Sequence, residues 1–292
     1  MARKNKKINL KLRDKDYDES LLPSTRRSQF KDILSHEYKT ILLVGMWLLV
    51  FFVPFILLQS FSNIFVYTYI EQNNTTLTPE ETASFELLAT IVRESALILC
   101  YMIFSIGVAG SLRIIRNLVY GEAIFFKEDF ILGIKKYWKI CLLLSFVFGL
   151  IKGSTNVISY LVNNYSNYES LYILVGIAIG VFYLFIVPII FFYISLSITY
   201  DLKFGECLTI SVKFALANFL IAIAFSAILF ALTFIWYIGI LLVVDIILVI
   251  SIAFIAPLYI LLWHLYVTSK FDKHINKEQF PMIYKQGLRK GE

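Results

Sequence analysis

The chain has 292 residues, of which 59% are hydrophobic and only 16% charged, with a formal net charge of +6. Its mean hydropathy of +0.73 lies far from the balance of a water-soluble domain, and 13 Gly with 6 Pro exclude a collagen-like or linker-like chain. A bilayer core about 30 Å thick takes roughly 20 apolar residues per spanning helix, and runs of that size recur here between short polar stretches.

Residues 1–39 read as a basic cytoplasmic segment. Arg3, Lys4, Lys6, Lys7, Lys11, Arg13 and Lys15 are closely spaced, diluted by Asp14, Asp16, Asp18 and Glu19. Near a surface each basic residue attracts anionic lipid by about 1 kcal/mol. The segment is therefore read as a topology signal facing the lipid bilayer, with no nucleic acid as partner. The first apolar run begins only at Thr40, so the first helix is expected to stay as an anchor rather than to be cleaved. Gln29 to Tyr38 suits an amphipathic lead-in helix lying on the membrane.

Hydropathy places six spans near Thr40 to Phe61, Leu87 to Gly110, Trp138 to Leu161, Leu171 to Thr199, Phe214 to Tyr237 and Gly239 to Thr268. Residues 40–268 thus form a six-helix transmembrane domain. The last two spans are one apolar stretch interrupted only by Trp236-Tyr237-Ile238-Gly239, and charge divides them. Of 27 Lys and Arg, 11 precede Thr40, six lie between Arg113 and Lys139, two are Lys203 and Lys213, and six lie from Lys270 onward in a basic tail, 269–292. The segments Ser62 to Glu86 and Val162 to Ser170, and the surroundings of Gly239, contain none. Basic residues stay on the cytoplasmic side, so an even number of spans with both termini cytoplasmic fits every loop. Helices satisfy their own backbone in hydrocarbon, and the expected fold is an all-α polytopic bundle of about six helices.

Small residues mark helix contacts: Ser105 with Ala109 in the second span, and Gly176 with Gly180 in the fourth, where contact within the chain is favoured over a homodimer. Pro54, Pro188 and Pro257 sit inside spans as kink sites, while Trp138 and Trp236 fall where interfaces are expected. Cys100, Cys141 and Cys207 have neither disulfide nor zinc spacing and read as packing residues. Asn73-Asn74-Thr75-Thr76 formally offers glycosylation acceptors, but the richness in Lys, Asn, Ile, Tyr and Phe points to a low-GC bacterium, in which that modification is not expected.

Two cytoplasmic loops echo each other. Leu118-Val119-Tyr120-Gly121-Glu122 leads to Phe130, Leu132 and Gly133, and Asp201-Leu202-Lys203-Phe204-Gly205-Glu206 leads to Phe214, Leu216 and Ala217. Gly suits a left-handed helix end and the following Glu the first turn of the next helix, so both are expected to be helix-turn-helix elbows, by duplication or by convergent punctuation. These residues, with Trp47-Leu48-Leu49 and Pro54, Arg116-Asn117, Tyr200, Ala215-Leu216-Ala217-Asn218 and Phe271-Asp272-Lys273-His274-Ile275, resemble the YesL-like family of bacterial membrane proteins. The resemblance spans about Gly45 to Ile275. It implies a link with carbohydrate uptake systems of Gram-positive bacteria and carries over no catalytic residue.

Charges inside a membrane cost about 2.5–3.5 kcal/mol each on insertion scales and are functional candidates by default. Arg93 and Glu94, Lys152 and Asp245 fall in the outer halves of the second, third and sixth spans, where they are expected to meet. They are expected to form either a pocket for a small polar or anionic solute or a structural ion pair bracing three helices, or else Arg93 snorkels to the outer interface. His264 is read as a hydrogen-bonded helix-end histidine in preference to a proton shuttle. Glu122, Glu128 and Asp129, interleaved with Lys127, Lys135 and Lys136, read as a solvated or headgroup-facing surface. No HExxH, phosphate loop or GxSxG appears, so no enzyme, metal or cofactor is expected. The leading expectation is a non-enzymatic accessory or scaffold subunit of a membrane complex in the cell membrane; the alternative is a small-solute transporter or channel. A cysteine placed after Lys270 is expected to resist an impermeant thiol reagent on intact cells and to react after lysis. Labelling of intact cells would reverse the tail and the parity of the spans.

Overall fold

The computed structural model describes residues 22–73, 78–165, 169–232 and 240–289. The basic run from Arg3 to Lys15, Asn74-Thr75-Thr76 and Trp236 to Gly239 lie outside the described residues. Every regular element described is helical. A short α1 (Arg26–His36) leads into three long helices, α2 (Tyr38–Asn73), α3 (Pro79–Tyr120) and α4 (Phe126–Tyr165). Next come α5 (Glu169–Val181), which runs through a π-helical turn at Phe182–Ile186 into α6 (Val187–Thr199), then α7 (Phe204–Ala217) and α8 (Phe219–Leu232). Last, α9 (Leu241–Ile250) continues through a π turn at Ser251–Ile255 into α10 (Ala256–Phe271), a third π turn at Asp272–Asn276 and the single turn α11 (Lys277–Gln279).

Five of these continuous helices are long and apolar enough to cross a membrane, and α7 with α8 makes a sixth crossing if the bent pair is one span. The chain is an all-α, multi-pass membrane protein. The exposed side chains are themselves apolar, among them Val50, Phe61, Leu88, Ile173 and Leu220, as a surface solvated by lipid requires. The expected external segment Ser62 to Glu86 is largely helical: α2 runs on to Asn73, and Thr78 starts α3 with a reciprocal cap. In that cap Glu81 N–H donates to Thr78 Oγ1 at 3.3 Å and Thr78 N–H to Glu81 Oε2 at 2.8 Å, with Pro79 in the first turn. At 1.5 Å per residue α3 is therefore about 63 Å long and outreaches the bilayer core.

The fifth span differs from its expected start at Phe214. Helix α7 ends at Ala217, and the axis bends by 96° into α8. Asn218 sits at the break, its side-chain amide donating to Phe214 O at 3.0 Å and its carbonyl accepting from the Tyr266 hydroxyl at 3.0 Å. Such local bonds compete with helix continuation. From there α8 runs antiparallel to α10, since the Tyr259 hydroxyl donates to Phe225 O at 3.0 Å while Tyr266 meets Asn218. The two ends of the described chain consequently meet at one end of the bundle, where Arg289 N–H bonds Pro23 O at 3.0 Å.

The echoed loops are not alike. Gly121, at φ 67°, closes α3 as a Schellman end, with Glu122 N–H on Asn117 O at 2.9 Å and Gly121 N–H on Leu118 O at 3.3 Å. Gly205 lies inside the first turn of α7, with no left-handed backbone. The lead-in helix also differs from expectation. Capped by the reciprocal Thr25 and Ser28 bonds, α1 buries Gln29 and Ile33 in the bundle instead of lying free on the membrane.

Close backbone approach organises the centre. An added Cβ on Gly45 of α2 would stand 1.7 Å from Ala253 O. That carbonyl is the one Pro257, lacking an N–H, cannot serve in the ordinary four-residue ladder, and the π turn at Ser251–Ile255 absorbs the defect. The π turn at Phe182–Ile186 likewise precedes Pro188. Ser105 and Ala109 face α4 as expected: Ser145 donates to Ser105 at 3.1 Å, and Gly133 approaches Ala109 O. Gly176 and Gly180 correct the other expectation, because among the described residues nothing lies within 4 Å of where their Cβ atoms would be. Cys100, Cys141 and Cys207 are buried in three separate clusters as packing residues.

Gly45→Ala is expected to destabilise the detergent-solubilised protein by about 1–3 kcal/mol, the usual cost of overpacking. Gly176→Ala should stay within about 0.5 kcal/mol of wild type. Thermal unfolding of both variants checks the pair, and a tolerated Gly45→Ala would contradict the described contact.

Candidate functional site

Two polar constellations lie at opposite ends of the bundle. The first, at the end formed by the α2–α3 hairpin, contains the residues expected from sequence. Glu94 is buried; its Oε1 accepts from Arg93 Nη2 at 3.3 Å and its Oε2 from Asn156 Nδ2 at 3.1 Å. Arg93 Nη1 reaches Asn63 Oδ1 on α2 at 3.3 Å. A carboxylate taken out of water is tolerable only when opposite charge and donors surround it; α3 and α4 supply them, and Asn63 of α2 holds the arginine in place. Gly153, in the polar run Lys152-Gly153-Ser154-Thr155-Asn156, faces Glu94 across the α3–α4 contact. Lys152 lies on the same stretch within Coulomb range of Glu94 but forms no direct ion pair with it.

Asp245 does not join Lys152. Its Oδ2 accepts from Ser60 Oγ at 2.8 Å, and its buried Oδ1 has no partner among the described residues. Ser60 and Asn63 are three residues apart on α2, hence neighbours on one face. Three of the four expected residues thus form a belt without Lys152: Asp245 holds α9 to α2, and Arg93 with Glu94 holds α2 to α3 and α4. The expected direct meeting of Lys152 and Asp245 is absent because α4 packs on α3 and α9 on α2, which leaves two helices between them.

The second constellation sits where the chain ends meet, and sequence reasoning did not assemble it. Arg26, opening α1, donates from Nη2 to Asp272 Oδ2 at 2.7 Å, with both side chains only 9% exposed. Its Nη1 reaches Gln29 Oε1 at 2.8 Å, Gln286 O at 3.1 Å and Val119 O at 3.3 Å. Gln29 Nε2 also donates to Val119 O, at 2.7 Å, and to Gly287 O at 3.2 Å. Val119 O is among the last carbonyls of α3, which no intrahelical amide serves; side chains from α1 serve it instead. Gly287, at φ 77°, has its Cα against that carbonyl, where an added Cβ would lie 2.5 Å from the oxygen. Asp272 Oδ1 accepts from Asn276 Nδ2 at 2.8 Å and from Lys285 N–H at 3.3 Å. Asn276 Oδ1 in turn accepts from the Tyr200 hydroxyl, whose ionisation burial pushes up, so that it remains a neutral donor.

Behind this knot the Arg116 guanidinium lies 4.8 Å over the Tyr120 ring and reaches Glu122 at 3.4 Å, and Tyr120 meets the His264 ring edge-on at 6.5 Å. Arg26 Nε, Arg116 Nε, Asn117 Oδ1 and His264 Nε2 are buried without partners among the described residues. The Tyr120 hydroxyl lies near Thr199, outside hydrogen-bond geometry. His264 is therefore a buried ring beside Tyr120 with Nε2 unpartnered among the described residues, not the bonded helix-end residue expected. Asp129 is corrected as well: instead of facing solvent it is buried, accepting from Phe125 N–H at 2.9 Å and Arg113 Nε at 3.1 Å. The signals for this constellation were local and separate: the Thr25 and Ser28 cap, the Arg116-Asn117 segment ending at Gly121, Tyr200, and the Phe271-Asp272 segment.

No protein-family model, curated protein or solved structure matches this chain. Asp272→Ala leaves Arg26 buried without its counter-charge, and a loss of about 3–5 kcal/mol in unfolding free energy is expected. The more exposed Glu122→Ala should cost no more than about 1 kcal/mol. Equal effects in denaturation of the two variants would remove Arg26 and Asp272 from the centre of the terminal knot.

Proposed function

We propose that this chain is a non-enzymatic accessory or scaffold subunit of a complex in a bacterial cell membrane, with both termini cytoplasmic. The YesL-like resemblance implies carbohydrate uptake as the process served. The observation that carries the reading is the open face of α5. Gly176 and Gly180 form a GxxxG pattern of the kind that lets two membrane helices approach closely, no described residue lies within 4 Å of where their Cβ atoms would be, and Ile173 and Ile177 beside them are exposed. A helix of a partner protein fits there. The hairpin-end belt supports the same reading, since Arg93 and Glu94 are engaged in holding α2, α3 and α4 together.

A second reading, a small-solute transporter or channel, draws on Lys152, which has no direct ion pair, and on the unpartnered Oδ1 of Asp245. Purification in mild detergent followed by mass spectrometry separates the two. The accessory reading expects a stoichiometric membrane-protein partner that is lost in Gly176→Ile/Gly180→Ile, and no solute flux in liposomes. Recovery of the chain alone, with flux abolished by Lys152→Ala or Asp245→Asn, would replace it with transport.

A further inference from the structure

The bend between α7 and α8 leaves α7 with three differently equipped faces. One packs on α6 and the α10 end: Cys207, Ser211 and Ala215 are buried, and the Cys207 thiol reaches Ser197 Oγ at 3.3 Å. The opposite face carries Glu206, Thr209 and Lys213, all exposed and spaced three and four residues apart. On the flank between them lie Leu208, Val212 and Leu216. Leu208 and Leu216 are exposed, and the apolar strip continues past the bend into Leu220 of α8, which is 82% exposed. Phe204 adds an exposed ring at the helix start, beside Lys203.

We infer that α7 is an interfacial helix, lying in the plane of the bilayer at its headgroup boundary, with the Leu208 and Leu216 flank against acyl chains and the Glu206, Thr209 and Lys213 face in water. Three observations carry this. The axis of α7 is turned 96° from α8, and α8 runs along α10 as a spanning helix does, so α7 lies across the bundle. The apolar flank is continuous with the lipid-facing surface of α8, so the same solvent covers both. The level is that of a membrane interface: α7 packs beside Tyr193 and Ser197, within two turns of the end of α6, and its C-terminal end meets Tyr266, one turn before Lys270. A helix with one apolar flank and one polar face lies in that boundary with the flank in the acyl region and the polar face in water. The occupant of the flank is lipid, and Lys203 and Lys213 are placed to meet anionic headgroups.

Spin labels at Leu208→Cys, Leu216→Cys, Glu206→Cys and Lys213→Cys test this in proteoliposomes of phosphatidylethanolamine and phosphatidylglycerol. The native Cys100, Cys141 and Cys207 are buried and can stay in place, with the unsubstituted protein as the labelling control. All four positions are exposed on the helix, so the labels leave the packed face intact. Labels at 208 and 216 should be relaxed more by oxygen than by an aqueous nickel chelate, and labels at 206 and 213 the reverse. Chelate access at all four positions would put α7 in water and overturn the inference. Labels at 208 and 216 shielded from both relaxants would show a protein covering the flank, which also overturns it.

Discussion

Lipid tails are as apolar as leucine, so burying leucine between helices in a membrane gains little over leaving it in lipid. That constraint governs this structure. What holds its helices together is close backbone approach and polar groups that find partners only across helix boundaries. Gly45 against the Ala253 carbonyl is the clearest contact of the first kind: the carbonyl projects because Pro257 cannot donate to it, and only a residue without a side chain can receive it. Proline, the π turn ahead of it and glycine on the facing helix form one device, and none of the three has a purpose alone.

Polar contacts of the second kind occupy the two ends of the bundle and differ in character. At the hairpin end, Glu94, Arg93, Asn63, Asn156, Ser60 and Asp245 form a belt of single bonds between neighbouring helices. At the terminal end, Arg26 and Asp272 are shared by many backbone groups, so that α1, the end of α3 and the C-terminal residues close as one unit. The segment Arg116 to Glu122 therefore serves mainly through its backbone: the Schellman turn exposes Val119 O to Gln29 and Arg26. An in-plane α7 beside this knot extends the same logic to the bilayer boundary, where one helix satisfies protein, water and lipid on separate faces.

What was legible in the sequence follows from which quantities add up along a chain. Hydropathy and charge are sums over neighbouring residues, and a bilayer sorts residues by depth alone. The apolar runs, the all-helical class and the return of the chain to its starting end could thus be read from composition and from the placing of 27 Lys and Arg. Gly121 as a helix end and Ser105 with Ala109 as a contact were legible too, because each is set by local geometry within one or two turns.

The tertiary structure alone decided which of these segments touch. A helix that is apolar on every side carries no periodicity to announce which face meets a neighbour, so its rotation and register come only from packing. For that reason Gly176 and Gly180 look like Ser105 and Ala109 in sequence yet stand open. For the same reason Asp245 finds Ser60 rather than Lys152, Gly205 continues a helix where Gly121 ends one, and residues as distant as Arg26 and Asp272 share a proton-rich edge out of water.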